Sequence, residues 1–127
     1  MEDDAPDPLE AAMLALRAEY LFEAPERVRE LSAALGRLRT GDASALKDLQ
    51  NYFHRLAGSG GSFGFPGVTE RGRTAEHMVI RLVGEARTPQ HEDFAILEEH
   101  VLSIAEVFQA AQREFDAGTP PPRSTME

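Results

Sequence analysis

Apolar residues recur along this chain at alternating spacings of three and four, the repeat of an amphipathic helix. Nowhere do they show the strict alternation of a half-buried strand. Leu9, Met13, Leu16 and Tyr20 form one such stripe, which predicts a helix over about residues 9–22. Pro25 suits the first turn of a second helix, with Val28, Leu31, Leu35 and Leu38 on its inner face and an end before Gly41. Asp42 or Ser44 can cap a third helix carrying Leu46, Leu49, Phe53 and Leu56. A fourth begins near Pro66 with Ala75, Met78, Val79, Leu82 and Ala86 inward. The fifth has Phe94, Leu97, Val101, Ile104, Phe108, Ala111 and Phe115 in register. Short connections at Gly41-Asp42, Gly64–Gly67 and Thr88-Pro89 favour antiparallel neighbours. The expectation is an all-α, antiparallel up-down four-helix bundle with an additional N-terminal helix. It would occupy residues 9–115, between an acidic, poorly ordered start (1–8) and a Pro-rich tail or linker (116–127).

Composition narrows the function classes. A chain of 127 residues can bury one core without staples. It has no cysteine, which excludes disulfides, thiolate metal sites and thiol redox chemistry. No apolar run approaches the length of a membrane span and no leader pattern opens the chain, so a cytoplasmic protein with no membrane partner is expected. The net charge of −9 includes five acids and no base in residues 1–10: Glu2, Asp3, Asp4, Asp7 and Glu10. Nucleic acid is not an expected partner, because phosphate-backbone binding needs a strong basic excess. Residues 54–87 are mildly basic, with five arginines against three glutamates, which suits an acidic or phosphorylated partner.

The stretch HRLAGSGGSFGF, residues 54–65, is an unfavourable way to build a helix, since each glycine costs about 1 kcal/mol against alanine in a helix interior. A phosphate-cradling loop does not fit: the glycine spacing is wrong and no Gly-Lys-Ser/Thr follows. A flexible linker does not fit either, because Phe53, Leu56, Phe63 and Phe65 bracket the glycines with core-type residues. His54 follows Phe53 by one residue, about 100° round the helix and off the core stripe. Gln50 precedes it by one turn and Gly58 follows by one turn, with Gly61 beyond. Taken alone, a surface histidine is ordinarily just solvated; bare glycines on the same face leave an approach to this one.

Leu49 through Phe65, LQNYFHRLAGSGGSFGF, resembles the signature of the histidine phosphotransfer (HPt) domain of bacterial two-component phosphorelays, roughly His-x-Leu-Lys-Gly-x-Ser/Ala-x-x-x-Gly. His54, Leu56, Gly58 and Gly64 fall in register, with Ser59, Gly60, Gly61 and Ser62 between them. The family has lysine three residues after the histidine, where it helps hold the phosphoryl group; here that residue is Ala57. The resemblance covers about residues 9–115. It implies a phosphoprotein of signal transduction in which His54 is the phospho-acceptor, exchanging its phosphoryl group with the aspartate of a receiver domain. Ordinary imidazole, with a pKa of about 6.5, is a competent nucleophile at neutral pH. Gln50, Arg55, Gly58 and Gly61 would support the phosphoryl site. Phe63, Phe65, Arg71 and Arg73, with Pro66 and Val68, would dock the partner, although core packing is the ordinary role of such phenylalanines and solvation that of such arginines.

The implied partners are a response-regulator receiver domain and a hybrid histidine kinase. The chain itself would be a monomeric phosphocarrier without kinase activity, since it has no nucleotide-binding element. It would need no cofactor, with Mg²⁺ expected on the receiver. The alternative, favoured by Ala57, is a helical-bundle adaptor that docks signalling partners without transferring phosphate. A metal-binding bundle is disfavoured: no histidine has Glu three residues before it, the positions being Asn51, Thr74, Thr88 and Leu97. Surface or cap roles are therefore expected for His77, His91 and His100. Ser59 and Ser62 have no base and acid at a recognisable spacing for a hydrolytic triad.

Overall fold

In the computed structural model, which describes residues 7–118, the chain forms four helices: α1 (Pro8–Arg39), α2 (Ala45–Ser62), α3 (Pro66–Glu85) and α4 (His91–Gly118). No strand occurs among the described residues. Each helix packs on two neighbours, α2 on α1 and α3, and α4 on α3 and α1, so the four close into a ring. The largest of the fully buried side chains line its interior: Leu31, Leu49, Phe53, Val68, Val79, Leu82, Leu97 and Ile104. All eight lie on the inner faces that the apolar spacing marks out or, for Val68, beside one. Most of the acidic start and the Pro-rich end lie outside the described residues, while α4 continues past residue 115 to Gly118.

The expected separate N-terminal helix is corrected by a single α1, which runs without a break through Pro25. A proline in a helix interior costs about 3 kcal/mol, because it has no N–H and its ring crowds the preceding turn. Tertiary contacts on both sides of Pro25 hold the helix together. On one side, Arg17 Nε donates to the Phe63 carbonyl oxygen (3.1 Å) and Tyr20 shares a hydrogen bond with Ser59 (2.8 Å). On the other, Leu31 and Ala34 are wholly buried. The inner face of this first half also differs from the expected stripe. Leu21 and Ala24 are buried, whereas Leu9, Met13 and Leu16 are exposed. Only Tyr20 of the predicted stripe packs on the core.

The connections follow from local chemistry. Gly41, at φ +101°, turns the chain after α1, and Asp42 accepts from the Ser44 N–H at 3.1 Å just before α2. α2 ends in a Schellman motif. The Phe65 N–H bonds the Gly60 carbonyl oxygen at 2.7 Å and the Gly64 N–H bonds that of Gly61 at 3.3 Å, with Gly64 left-handed at φ +85°. Pro66 then opens α3 at a first-turn position, where its missing N–H costs nothing. Before α4 the Gln90 N–H donates to Asp93 at 2.7 Å, while Arg87 approaches the same carboxylate at 2.9 Å. The Arg87 guanidinium first, and the Gln90 N–H second, hold the Asp93 carboxyl below the ordinary carboxylate range.

A candidate phosphoryl-transfer site on the second helix

α2 and α3 approach one another unusually closely, and small residues make this possible. A Cβ at Gly72 would lie 3.1 Å from the Ala57 nitrogen and the Phe53 carbonyl oxygen. One at Gly60 would lie 3.0 Å from the Thr69 backbone nitrogen. The Thr69 hydroxyl donates to the Ala57 carbonyl oxygen at 2.8 Å, tying the two backbones together. Ala57, 6 % exposed, is part of this seam. A lysine side chain there would have to leave the contact to reach solvent.

His54 stands at the outer edge of the seam. Its side chain is 74 % exposed, and its Nδ1 lies 2.8 Å from Oε2 of Glu76, a residue of α3 whose own side chain is 15 % exposed. A carboxylate can only accept, so in the neutral ring Nδ1 carries the proton and Nε2 keeps its lone pair. Nε2 makes no hydrogen bond among the described residues. The outcome is a single tautomer with the free nitrogen turned to solvent, which is the form a nucleophile needs. Nothing in the sequence motif marks Glu76. Its place on the α3 stripe with Thr69 and Gly72 was readable, but the register that brings that stripe against His54 was not.

The expected supporting residues divide. Gln50 is half-buried one turn before His54. Nothing lies within 4 Å of a Cβ built on Gly58, so that position is open; one built on Gly61 would meet the Thr69 hydroxyl at 3.3 Å. Arg55 is on a different part of the surface, its guanidinium 5.5 Å from the Tyr52 ring centre. It lines a groove of about 350 Å³ between α1 and α2, with Tyr20, Arg27, Leu56, Ser59 and Phe63. Arg55 therefore does not reinforce the histidine face as expected.

The docking residues divide as well. Phe65 is 4 % exposed, stacked 5.5 Å from Tyr20 and edge-on to Phe108 at 6.2 Å, with the Arg17 guanidinium over its ring. Phe65 and the wholly buried Val68 belong to the core and present no docking surface. Phe63 is half-buried, stacked on Tyr20 at 4.6 Å, and shows one side to the α1–α2 groove. Arg71 turns to α4, where Nη1 donates to His100 Nδ1 at 3.4 Å. Arg73 stays exposed on the same side of α3 as Glu76, three residues before it. His77 and His91 are at the surface, but His100 is 7 % exposed and not a surface or cap residue as expected. Its pKa is lowered, by burial first and by Arg71 second.

Among the described residues no cluster of His, Asp or Glu could hold a metal ion, and no helix is long and apolar enough to cross a membrane. No curated protein and no solved structure matches the chain. Its sequence does match the Hpt domain family over residues 15–114. That span takes in most of the helical ring, the His54 helix and its Glu76 partner, and the chain belongs to the Hpt domain family.

Proposed function

We propose that this protein is a phosphorelay intermediate in which His54 accepts a phosphoryl group from the aspartate of a receiver domain and passes it to another. The observation that carries this reading is the fixed imidazole, with Nδ1 bonded to Glu76 at 2.8 Å and Nε2 free on an exposed face. In the forward step the Nε2 lone pair attacks phosphorus in line with the aspartyl oxygen. The P–N bond forms, the P–O bond breaks, and the electron pair leaves on the receiver's carboxylate. The ring keeps its Nδ1 proton and becomes a phosphoryl-imidazolium, whose positive charge the Glu76 carboxylate stabilises. No proton has to move, so the step depends on positioning and charge neutralisation. The Mg²⁺ expected in the transfer belongs to the receiver, and no residue of this chain is assigned to it.

The domain acts as carrier and docking module. The groove between α1 and α2, lined by Leu56, Phe63 and Arg55 and by Arg27 paired with Glu23 and Glu30, supplies apolar and charged surface beside the histidine helix. Ala57 favours a second reading, an adaptor that docks receivers without taking up phosphate. Incubation with a ³²P-phosphorylated receiver separates the two. Acid-labile, base-stable label is expected on the wild-type chain and its loss in His54→Gln. Equal label on the variant overturns His54 as acceptor, and binding of receivers without label on the wild type establishes the adaptor.

A further inference from the structure

We propose that Arg73 is the cation that holds the phosphoryl group on His54, taking the role that no residue of α2 can fill. The proposal rests on His54 being the phospho-acceptor. A phosphoryl group brings about two negative charges at neutral pH, and here they arrive beside the carboxylate of Glu76. A cation has to offset them, and several nearby candidates are engaged or misplaced. Arg55 lies against Tyr52 in the α1–α2 groove. Arg71 is turned to His100. Lys47 is seven residues before His54, about two turns away on the side opposite the glycines.

Arg73 remains. Among the described residues it makes no hydrogen bond, ion pair or ring contact, and it is exposed. It precedes Glu76 by three residues, which makes the two neighbours on one face of α3. The pairings His54–Glu76, Ala57–Gly72 and Gly60–Thr69 show that α2 and α3 run antiparallel. A step from Glu76 back to Arg73 is therefore also a step from His54 forward to Gly58. At that place α2 has no side chain: a Cβ on Gly58 would meet nothing within 4 Å, and one on Gly61 only the Thr69 hydroxyl. The guanidinium can cross this bare surface to the phosphoryl oxygens, where its planar fork bonds two of them at once. The glycines thus serve the cation of the neighbouring helix as well as the incoming partner.

Chemical phosphorylation tests this without a receiver. The intact protein is treated with potassium phosphoramidate, and ³¹P NMR follows the phosphohistidine signal that is missing from His54→Gln. Arg73→Ala should shorten the half-life of that signal about threefold or more, the scale of one solvent-exposed ion pair. Arg73→Lys should recover most of it, and Arg29→Ala, a cation elsewhere on the surface, should match the wild type. A wild-type half-life in Arg73→Ala overturns the proposal. So does a variant that loses only affinity for a receiver, which would make Arg73 a docking residue. If the signal behaves as expected but no receiver labels the protein, the relay reading fails while the Arg73 contact stands.

Discussion

α3 meets its two neighbours in different ways. Against α2 it lies backbone to backbone: methyl groups added at Gly60 or Gly72 would strike main-chain atoms at 3.0 to 3.1 Å. Against α4 the contact is made by side chains. A Cβ at Gly67 would meet only the tips of Val107, and a buried histidine, His100, faces Arg71 across this second seam. The first seam carries the candidate site. Its closeness fixes the distance between the helix bearing His54 and the helix bearing Glu76, so the tautomer-setting hydrogen bond is built on main-chain contacts rather than on long side chains. The second seam can give way by a rotamer and is open to titration.

Adding one methyl is the strongest way to test the first seam. Gly60→Ala should cost about 1–3 kcal/mol, because the Thr69 nitrogen and the Val68 Cβ cannot rotate aside as a flexible side chain would. Chemical denaturation measures this as a lower midpoint at unchanged slope. A variant as stable as the wild type would show that the helices separate freely, and the contrast between the seams would disappear.

Adding a proton tests the second. Burial and Arg71 both lower the His100 pKa in the folded state. The unfolded chain then binds the proton more readily in the window from the ordinary value of about 6.5 downward. Stability contributed by neutral His100 is complete above that window and is lost as pH falls through it, at no more than about 1.4 kcal/mol per pH unit for one proton. His100→Gln should flatten the pH profile of stability between neutral and mildly acidic conditions. An unchanged slope in the variant would assign the acid sensitivity to other groups.

These two seams also mark where the sequence stops being legible. The large apolar inner-face residues Leu49, Phe53 and Leu56 of α2, and Leu97, Val101, Ile104 and Phe108 of α4, could be read from spacing, because burial there follows helical pitch. The glycine stretch could be read as a surface site because the motif is local. What spacing does not encode is the register between helices. Glu76 looks like an ordinary surface charge, and Arg73 like a docking or solvated one, until α3 is set antiparallel against α2. His100 looks like one more polar residue until Arg71 is placed opposite. Pro25 was a misleading local signal: its usual place at a helix start was overridden by contacts on either side, Tyr20 to Ser59 and Leu31 in the core. Leu9, Met13 and Leu16 mislead for a related reason. They keep helical spacing, yet α1 buries Leu21 and Ala24 and leaves all three exposed.

The smallest predicted change uses the glycine next to the seam that does not belong to it. Gly58 is two residues before Gly60 on the same helix, but a methyl there meets nothing within 4 Å. Gly58→Ala should therefore stabilise the fold, by about 1 kcal/mol, through backbone entropy alone. The same methyl would sit one turn from His54 on the face through which, in the proposed relay, a receiver and the Arg73 guanidinium would reach Nε2. Label transfer from a phosphorylated receiver should slow as the midpoint of unfolding rises. If stability falls instead, Gly58 is part of the packed seam and the division of α2 into a pressed side and a bare side is wrong. If stability rises and transfer is unaffected, the bare face is incidental to the chemistry. A more stable protein that transfers more slowly is the result expected where a helix gives up propensity to keep its reactive face open.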